Sequence, residues 1–345
     1  MILNDRKIRI LEAIINDYIQ TAEPIGSRTI AKKYGLGVSS ATIRNEMSDL
    51  EEMGFIIQPH ASAGRIPSDK GYRLYVDRLM RRRELTEEET RYLRQIIASN
   101  INQIDYMMQE TARAIALLTN YATVVTEPSV KKTRIRRIQF VPVDERSFVM
   151  VLVTDSKVVK NHVIYMDKSP DDEALQSLSN LVNSNLRDFS LEDLDNEIVG
   201  KLAAQAGEHE ELVLDVLKAV VDVIQAEDDV QIYTSGVKNI LSFPEFSDVE
   251  KAKAMFQALE QKDMLITLMG RDNSENIQVV IGAENNLALL EDCSVIKANY
   301  TVGGQNFGSI GIIGPKRMDY AQAVSVLSGI LTYINAVIKA LSGGG

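Results

Sequence analysis

Val38-Ser39-Ser40-Ala41-Thr42-Ile43-Arg44-Asn45-Glu46-Met47-Ser48-Asp49-Leu50-Glu51-Glu52-Met53-Gly54 is the stretch on which the fold turns. Ser39 is a natural N-cap, because its hydroxyl can accept from a backbone N–H in the first helical turn. Val38 before the cap and Ile43 four positions after it form a hydrophobic staple. Ile43, Met47 and Leu50 recur at helical spacing and make the inward stripe, and Gly54 ends the helix. Ala41, Asn45 and Ser48 then point away from the core, with Thr42 and Arg44 flanking and Ser39 and Ser40 at the open N-terminus. A major-groove helix needs this arrangement. Small residues allow close approach, Asn can pair with adenine, and Arg can pair with guanine. Free N–H groups at the helix start can hold a phosphate.

The neighbouring sequence completes a helix–turn–helix with a β-wing over residues 27–67. Asn4 to Gln20 reads as a helix with Ile8, Leu11, Ile15 and Tyr18 on one face, broken by Pro24 and Gly26. Ser27 caps a short second helix, Arg28–Tyr34, closed by Gly35. Phe55-Ile56-Ile57-Gln58 reads as a strand. The loop Pro59 to Gly64 turns the chain back, and Arg65-Ile66 is the return arm. Ser68 caps a fourth helix running to Arg83. The acidic end of the deciding helix (Asp49, Glu51, Glu52) must tilt away from phosphates, so its N-terminal half is the part that enters a groove.

The base-readout candidates are therefore Ser39, Ser40, Thr42, Arg44, Asn45 and Ser48. Phosphate and wing candidates are Arg28, Lys32, Lys33, His60, Ser62, Arg65, Lys70, Tyr72 and Arg73. The competing reading is a small helical core with a solvated polar face, or a protein-contact module. Polar readout residues, basic flanks and a basic wing coinciding in one segment favour DNA.

Net charge looks unfavourable to that reading. The 345 residues carry 38 Lys+Arg against 48 Asp+Glu, a formal −10. The charge is unevenly placed: residues 1–83 carry 14 basic and 10 acidic groups, and the remaining 24 and 38 lie beyond. A small basic head sits on a large acidic body. The length suits two or three domains.

Beyond the head, Thr86 and Glu89 form a capping box for a long helix to about Tyr121. Strands follow at Arg137–Val143, Phe148–Thr154 and Val158–Met166. Ser169-Pro170 starts another helix, with Asp171, Asp172 and Glu173 in its first turn. From Leu191 to Lys262 the pattern is mostly helical, clearest at Glu211–Ala226 and Asp248–Lys262, with a strand-like run at Val230–Tyr233 between. Strand signals resume at Met264–Leu268, Ile277–Ile281, Ser294–Thr301 and Ser309–Ile313. A sheet region, a helical interval and a second sheet region suggest an insertion within one α/β domain.

Ala321–Leu341 is apolar, but Gln322, Asn335 and Lys339 interrupt it. Val324, Leu327, Leu331, Ile334, Ile338 and Leu341 trace an amphipathic seam, so a buried helix is favoured over a membrane span. The N-terminus has no signal-peptide layout, and one cysteine, Cys293, excludes an intrachain disulfide and fits a reducing cytoplasm.

No catalytic constellation assembles. Cys293, His60, His162 and His209 stand far apart in sequence, and a buried small Cys is the simpler reading. Gly207-Glu208-His209-Glu210-Glu211 lacks a second His at helical spacing. Gly303-Gly304 with Gly308 and Gly311 lacks the Lys-Ser/Thr of a phosphate loop and reads as a hairpin turn. No cofactor or metal is called for. The basic run Lys131-Lys132-Thr133-Arg134-Ile135-Arg136-Arg137 reads as a solvated loop before a strand, with a contact to DNA or a partner as the other reading.

The run Ser39 to Met47, continuing Leu50-Glu51-Glu52-Met53-Gly54-Phe55-Ile56, resembles the recognition helix of the HrcA family, the heat-inducible transcription repressors of bacteria. The wing Ser62-Ala63-Gly64-Arg65-Ile66-Pro67-Ser68-Asp69-Lys70-Gly71-Tyr72-Arg73 and the late segment Ile313-Gly314-Pro315-Lys316-Arg317-Met318-Asp319-Tyr320 resemble the same family. One departure is Ala61, where many members are expected to carry a small hydroxyl residue, so a wing–phosphate hydrogen bond from that position is not carried over by the resemblance.

The resemblance implies an α+β multidomain chain. Its parts are a winged helix-turn-helix DNA-binding domain over 1–85, a GAF-like α/β domain over 86–190 plus 272–345, and a mostly helical inserted dimerising domain over 191–271. It implies a homodimer on an inverted-repeat double-stranded DNA operator, CIRCE, before chaperone operons, modulated by the GroEL-type chaperonin. Dimer candidates on the helical interval are Val213, Leu217, Val220 and Ile224 on one seam and Val249, Phe256 and Leu259 on another. The alternatives are a ligand-gated regulator sensing a small molecule through the GAF-like domain, and an enzyme with a DNA-tethering head, for which no catalytic cluster is found.

Overall fold

The computed structural model describes residues 3–81, 83–99, 104–126, 134–154, 159–190, 196–205, 210–226, 231–270, 276–285, 287–302 and 305–341. The head is built from α1 (Asp5–Thr21), α2 (Ser27–Tyr34), α3 (Ser40–Glu52), β1 (Ile56–Ile57), β2 (Ile66–Pro67) and α4 (Asp69–Leu74), which runs into one wider turn at Tyr75–Leu79. Local chemistry sets these ends. Ser39 Oγ accepts from Thr42 N–H at 3.1 Å, Asn4 Oδ1 from Lys7 N–H at 2.9 Å, and Ser68 Oγ from Gly71 N–H at 3.1 Å. Gly54, at φ +77°, supplies the left-handed turn after α3 that a side chain would resist. β1 and β2 pair antiparallel, Ile57 opposite Ile66.

The body begins with α5 (Glu87–Ser99) and α6 (Ile104–Thr119). α5 and α6 pack against each other, so the expected single helix to Tyr121 is two helices. Its capping box is present: Thr86 N–H donates to Glu89 Oε2 at 2.8 Å and Glu89 N–H to Thr86 Oγ1 at 3.2 Å. β3 (Ala122–Thr126), not expected from the sequence pattern, follows. The chain then forms a separate unit of β4 (Ile135–Asp144), β5 (Ser147–Thr154), β6 (Val159–Tyr165), α7 (Asp172–Leu186), α8 (Asn196–Ala204) and α9 (Glu210–Ala226). It returns as β7 (Ile232–Ser235), which pairs directly with β3. The remaining elements are α10 (Val249–Glu260), α11 (Lys262–Met269), β8 (Gln278–Ile281), β9 (Cys293–Val302), β10 (Gln305–Pro315) and α12 (Tyr320–Leu341).

The five-stranded sheet has the order β7-β3-β10-β9-β8, with every neighbouring pair antiparallel. Strand alternation gives it two buried faces. Val125, Ile296 and Ile312 point into the core shared with α5, α6 and α12. Val124, Val295 and Ile313 point into the core shared with α10 and α11. The first of these cores continues without a break into the head, through Tyr72, Tyr75, Met318 and Tyr320. α12 is long and apolar enough to cross a membrane over Tyr320–Val337, but half of that window is buried inside the fold.

The inserted unit differs from expectation. Its own core runs from Ile135 to Val221 and joins the β4-β5-β6 sheet to α7, α8 and α9, while α10 and α11 belong to the body. The excursion from the body sheet therefore lies between β3 and β7 rather than over 191–271. Alternation identifies β4, β5 and β6 as strands but carries no information about which sheet a strand joins. Met264–Leu268, expected as a strand, lies inside helix α11; a short apolar run does not separate the two by pattern alone.

Five of the described dimer candidates pack within the chain. Val213, Leu217 and Val220 are buried in the inserted unit's core, Leu259 is buried in the body, and Phe256 packs against it half-buried. Val249 is exposed at the start of α10. The side chain of Ile224, together with Lys131–Thr133, His209, Val230 and Gly303-Gly304, lies outside the described residues.

Candidate nucleic-acid interface

α3 presents the face that its periodicity implies. Ile43, Met47 and Leu50 are buried, while Ala41, Arg44, Asn45 and Ser48 are exposed and Ser40 and Thr42 half-exposed. Ser39 is exposed and holds the helix start, its hydroxyl also 3.0 Å from Thr42 Oγ1. Among the described residues no side-chain hydrogen bond or ion pair engages Arg44, Asn45 or Ser48, so these side chains are available to a ligand.

The helix's acidic half is neutralised from within the head. Lys7, buried on α1, places Nζ 2.6 Å from Glu46 and 2.9 Å from Asp49. Arg6 adds a contact to Glu46 at 3.3 Å. Hydrogen bonds to Glu46 and then Asp49 raise the Lys7 pKa above its ordinary 10.5. Arg65 on the return arm of the wing grips Glu51, Nε at 2.9 Å. Of the carboxylates on this helix only Glu52 is left exposed and without a partner among the described residues, so the repulsion that α3 would offer to phosphate is largely cancelled at its source.

The basic candidates divide. Arg28 and Lys32 on α2 and His60 and Ser62 in the wing loop are exposed. Lys33 is exposed but bonds the buried carboxylate of Asp17, which also accepts from Tyr34 at 3.3 Å. Arg65 is committed to Glu51, as above. Lys70 donates to the Met53 carbonyl at 2.8 Å and lies over the Phe55 ring. Tyr72 is a core residue, 2% exposed, with its ring centroid 5.9 Å from that of Tyr320. Arg73 turns toward the body and bonds Glu284 and the Val279 carbonyl. All five make internal contacts; of them Lys33 and Lys70 remain exposed, Arg65 and Arg73 are half-buried, and only Tyr72 is closed off from solvent. Most of their partners lie far along the chain, where residue type and spacing carry no signal.

Three positions carry no signal in the sequence pattern. Arg6 and Lys7 are the counter-charges just described. Gln58 Nε2 donates to the carbonyls of Ala61 at 3.1 Å and Ala63 at 3.0 Å, which shapes the wing loop from one side. The basic run leaves Arg136 and Arg137 exposed on β4, with Arg134 donating to the Asp188 carbonyl. Cys293 is buried with Sγ 3.6 Å from Met255 Sδ, and burial pushes its thiol up to about 12, a range in which the thiolate nucleophile is scarce.

Comparison with known proteins fits a regulatory chain. Over 343 residues the sequence is 44% identical to the heat-inducible transcription repressor HrcA of Lachnoclostridium phytofermentans, covering 98% of this chain and 99% of that one. The repressor of the same name from Clostridium botulinum strain Alaska E43 is 42% identical, with 98% and 99% covered, and that of Acetivibrio thermocellus 39%, with 99% and 98% covered. Residues 105–324 match the family model described as the HrcA protein C-terminal domain. In fold the chain is similar to a hypothetical protein whose crystal structure is solved at 2.2 Å, with TM-score 0.62, 23% identity, and 99% of this chain and 100% of that one covered.

The class is that of transcription repressors, not of enzymes. Within that class the chain belongs to the HrcA family, the heat-inducible repressors.

Proposed function

We propose that the chain is a cytoplasmic, dimeric DNA-binding repressor of chaperone operons, which binds an inverted-repeat operator of the CIRCE type and is modulated by the GroEL-type chaperonin. In this reading the head is a winged helix-turn-helix, the five-stranded body is GAF-like, and the β4–α9 unit carries the dimer contact. The observation that supports it most is α3: Arg44, Asn45 and Ser48 stand exposed, while Lys7 and Arg65 hold the helix's carboxylates. Arg28, Lys32, His60 and Ser62 flank it as phosphate contacts.

The dimer follows from half-site logic, since one head reads a short site and a palindrome mirrors a twofold. With Val213, Leu217, Val220 and Leu259 buried, the candidate surface moves to the outer face of the β4-β5-β6 sheet. Val141, Val149 and Val163 lie in register across the three strands, and so do Arg137, Val153 and Val159. Val141, Val159, Val163 and Tyr165 are exposed. Strands solvated on one face normally alternate apolar with polar residues; valines on the outer face suit a covered surface.

A ligand-gated regulator is less well supported. Among the described residues a cavity of about 840 Å³ lies between α7 and α9, lined by Lys168, Asp171, Leu178, Leu181, Leu212 and Val216, so it belongs to the inserted unit and does not favour a ligand at the body sheet.

The test is fluorescence anisotropy of the full-length chain on an inverted-repeat operator, on its scrambled version and on a single half-site, with and without chaperonin. Equal affinity for operator and scrambled DNA would refute the reading.

A further inference from the structure

Ile313-Gly314-Pro315-Lys316-Arg317-Met318-Asp319-Tyr320 plays no part in the DNA-facing surface, yet it forms the seat on which the head rests. α4 presents Asp69 and Arg73 four residues apart, hence on one face. The body answers with the opposite charges. Lys316 Nζ lies 3.0 Å from Asp69 Oδ1, and the Ala283 N–H donates to Asp69 Oδ2 at 3.1 Å. Gly282 stands at φ +53°, and a Cβ there would collide with the Asp69 carboxylate, so the close approach depends on glycine. Arg73 donates to both carboxylate oxygens of Glu284 and to the Val279 carbonyl at 2.6 Å. Beside them Arg317 pairs with Glu245 and donates to the Ile19 carbonyl, near the end of α1, at 3.1 Å.

We propose that this clamp, with Asp69–Lys316 and Arg73–Glu284 as its two crossed-charge pairs, fixes the orientation of each head and thereby determines which half-site spacing the dimer accepts. The proposal rests on the DNA-binding dimer reading above. Three observations carry it. The contacts reach the head at two separate places, α4 and the end of α1, so rotation about one does not relieve the other. The apolar cores of head and body are continuous beneath them. And the clamp leaves α3 uncovered, with Arg44, Asn45 and Ser48 exposed, so it orients the reading helix rather than blocking it.

Each ion pair is partly exposed and by itself weak. Their effect on binding comes through geometry. Two linked heads gain affinity when the span between them matches the span between sites, and a rigid mounting makes a mismatch costly. Asp69, Lys316, Arg73 and Glu284 are positioning residues for operator recognition and do not themselves touch DNA.

The experiment uses the full chain carrying Lys316→Glu, which sets two carboxylates against each other, and the milder Lys316→Gln, with thermal unfolding as a check of folding. Three DNAs are titrated: the inverted-repeat operator, the same repeat with its half-sites moved by about 5 base pairs, half a helical turn, and a single half-site. Lys316→Glu is expected to bind the operator about tenfold more weakly, to lose discrimination between the two spacings, and to bind the half-site within about twofold of wild type. Asp69→Lys combined with Lys316→Glu restores the ion pair but not the bond from the Ala283 N–H, and is expected to recover part of the spacing preference. Wild-type spacing discrimination in both Lys316 variants would overturn the proposal, as would an equal fall on operator and half-site. Failure of the unmodified chain to prefer operator over scrambled DNA would instead remove the reading on which the proposal stands.

Discussion

Lys7 Nζ lies 2.6 Å from Glu46 Oε2 at the seam between α1 and α3, with both side chains nearly closed off from solvent. The pair ties the helix that would read DNA to the helix that leads the chain. Because hydrogen bonding to Glu46 and Asp49 raises the Lys7 pKa, the folded state holds this proton more tightly than the unfolded chain does. The resulting stabilisation is fully present below 10.5 and is lost as pH climbs through the folded-state value, so it is intact at neutral pH. Lys7→Met should lower the thermal midpoint by leaving Glu46 short of its counter-charge. Pairing Lys7→Met with Glu46→Leu should recover part of the loss, since no uncompensated buried charge remains. A double variant as unstable as the single one would mean that packing, not charge, holds the seam.

Replacing Arg44 or Asn45 with Ala should cost about 1–3 kcal/mol on the operator and relax preference at one base pair. Lys32→Ala should weaken all sequences alike and reduce the slope of log affinity against log salt by about 1. Titrations at several salt concentrations separate the two classes. If Arg44→Ala left operator and random DNA affinity unchanged, α3 would not be the reading helix.

What is legible in the sequence and what is hidden follow interaction range. Ser39, Ser68 and the Thr86–Glu89 box are legible because caps are local, three residues from donor to acceptor. The exposed face of α3 is legible for the same reason. Lys33, Arg65 and Arg73 are not, because their partners, Asp17, Glu51 and Glu284, are 16, 14 and 211 residues away. A basic side chain in sequence does not say whether it faces phosphate or carboxylate. The insertion boundary is hidden likewise, since β3 and β7 pair across the whole of the intervening unit.

Tyr72 offers a sharper check of its reassignment. Its hydroxyl is buried and has no hydrogen-bond partner among the described residues, and burial pushes its pKa well above 10.0. Tyr72→Phe removes an unpaired polar group while keeping the ring against Tyr320. Stability to denaturant should stay level or rise by up to about 1 kcal/mol, with DNA affinity unaltered. A clear loss of DNA affinity would return Tyr72 to the interface.

Cys293 should be silent to thiol reagents in the folded chain. At about 12 its pKa leaves almost no thiolate at pH 8, and 1% exposure closes the approach. Labelling should appear only with denaturant, in step with loss of helical signal. Rapid native labelling at pH 8 would require the β9 end of the sheet to open independently of the rest.

Substitutions that spare the fold test where the proposed dimer surface lies. Val163 and Val141 lie on the outer face of the inserted sheet, on opposite sides of Val149, and both are substantially exposed, 48% and 40%. Charging them should therefore leave the core beneath, built on Ile138, Phe140, Met150 and Ile164, untouched. Leu217→Lys is the contrasting control: Leu217 is buried within its own subunit, so that change should unfold the unit outright. Val163→Lys should instead keep the fold and shift the assembly toward monomer in analytical ultracentrifugation, because burying an unpaired ammonium in an interface is strongly unfavourable. Operator affinity should fall with it, while half-site affinity should not. A Val163→Lys chain that stays dimeric would move the interface off this sheet face.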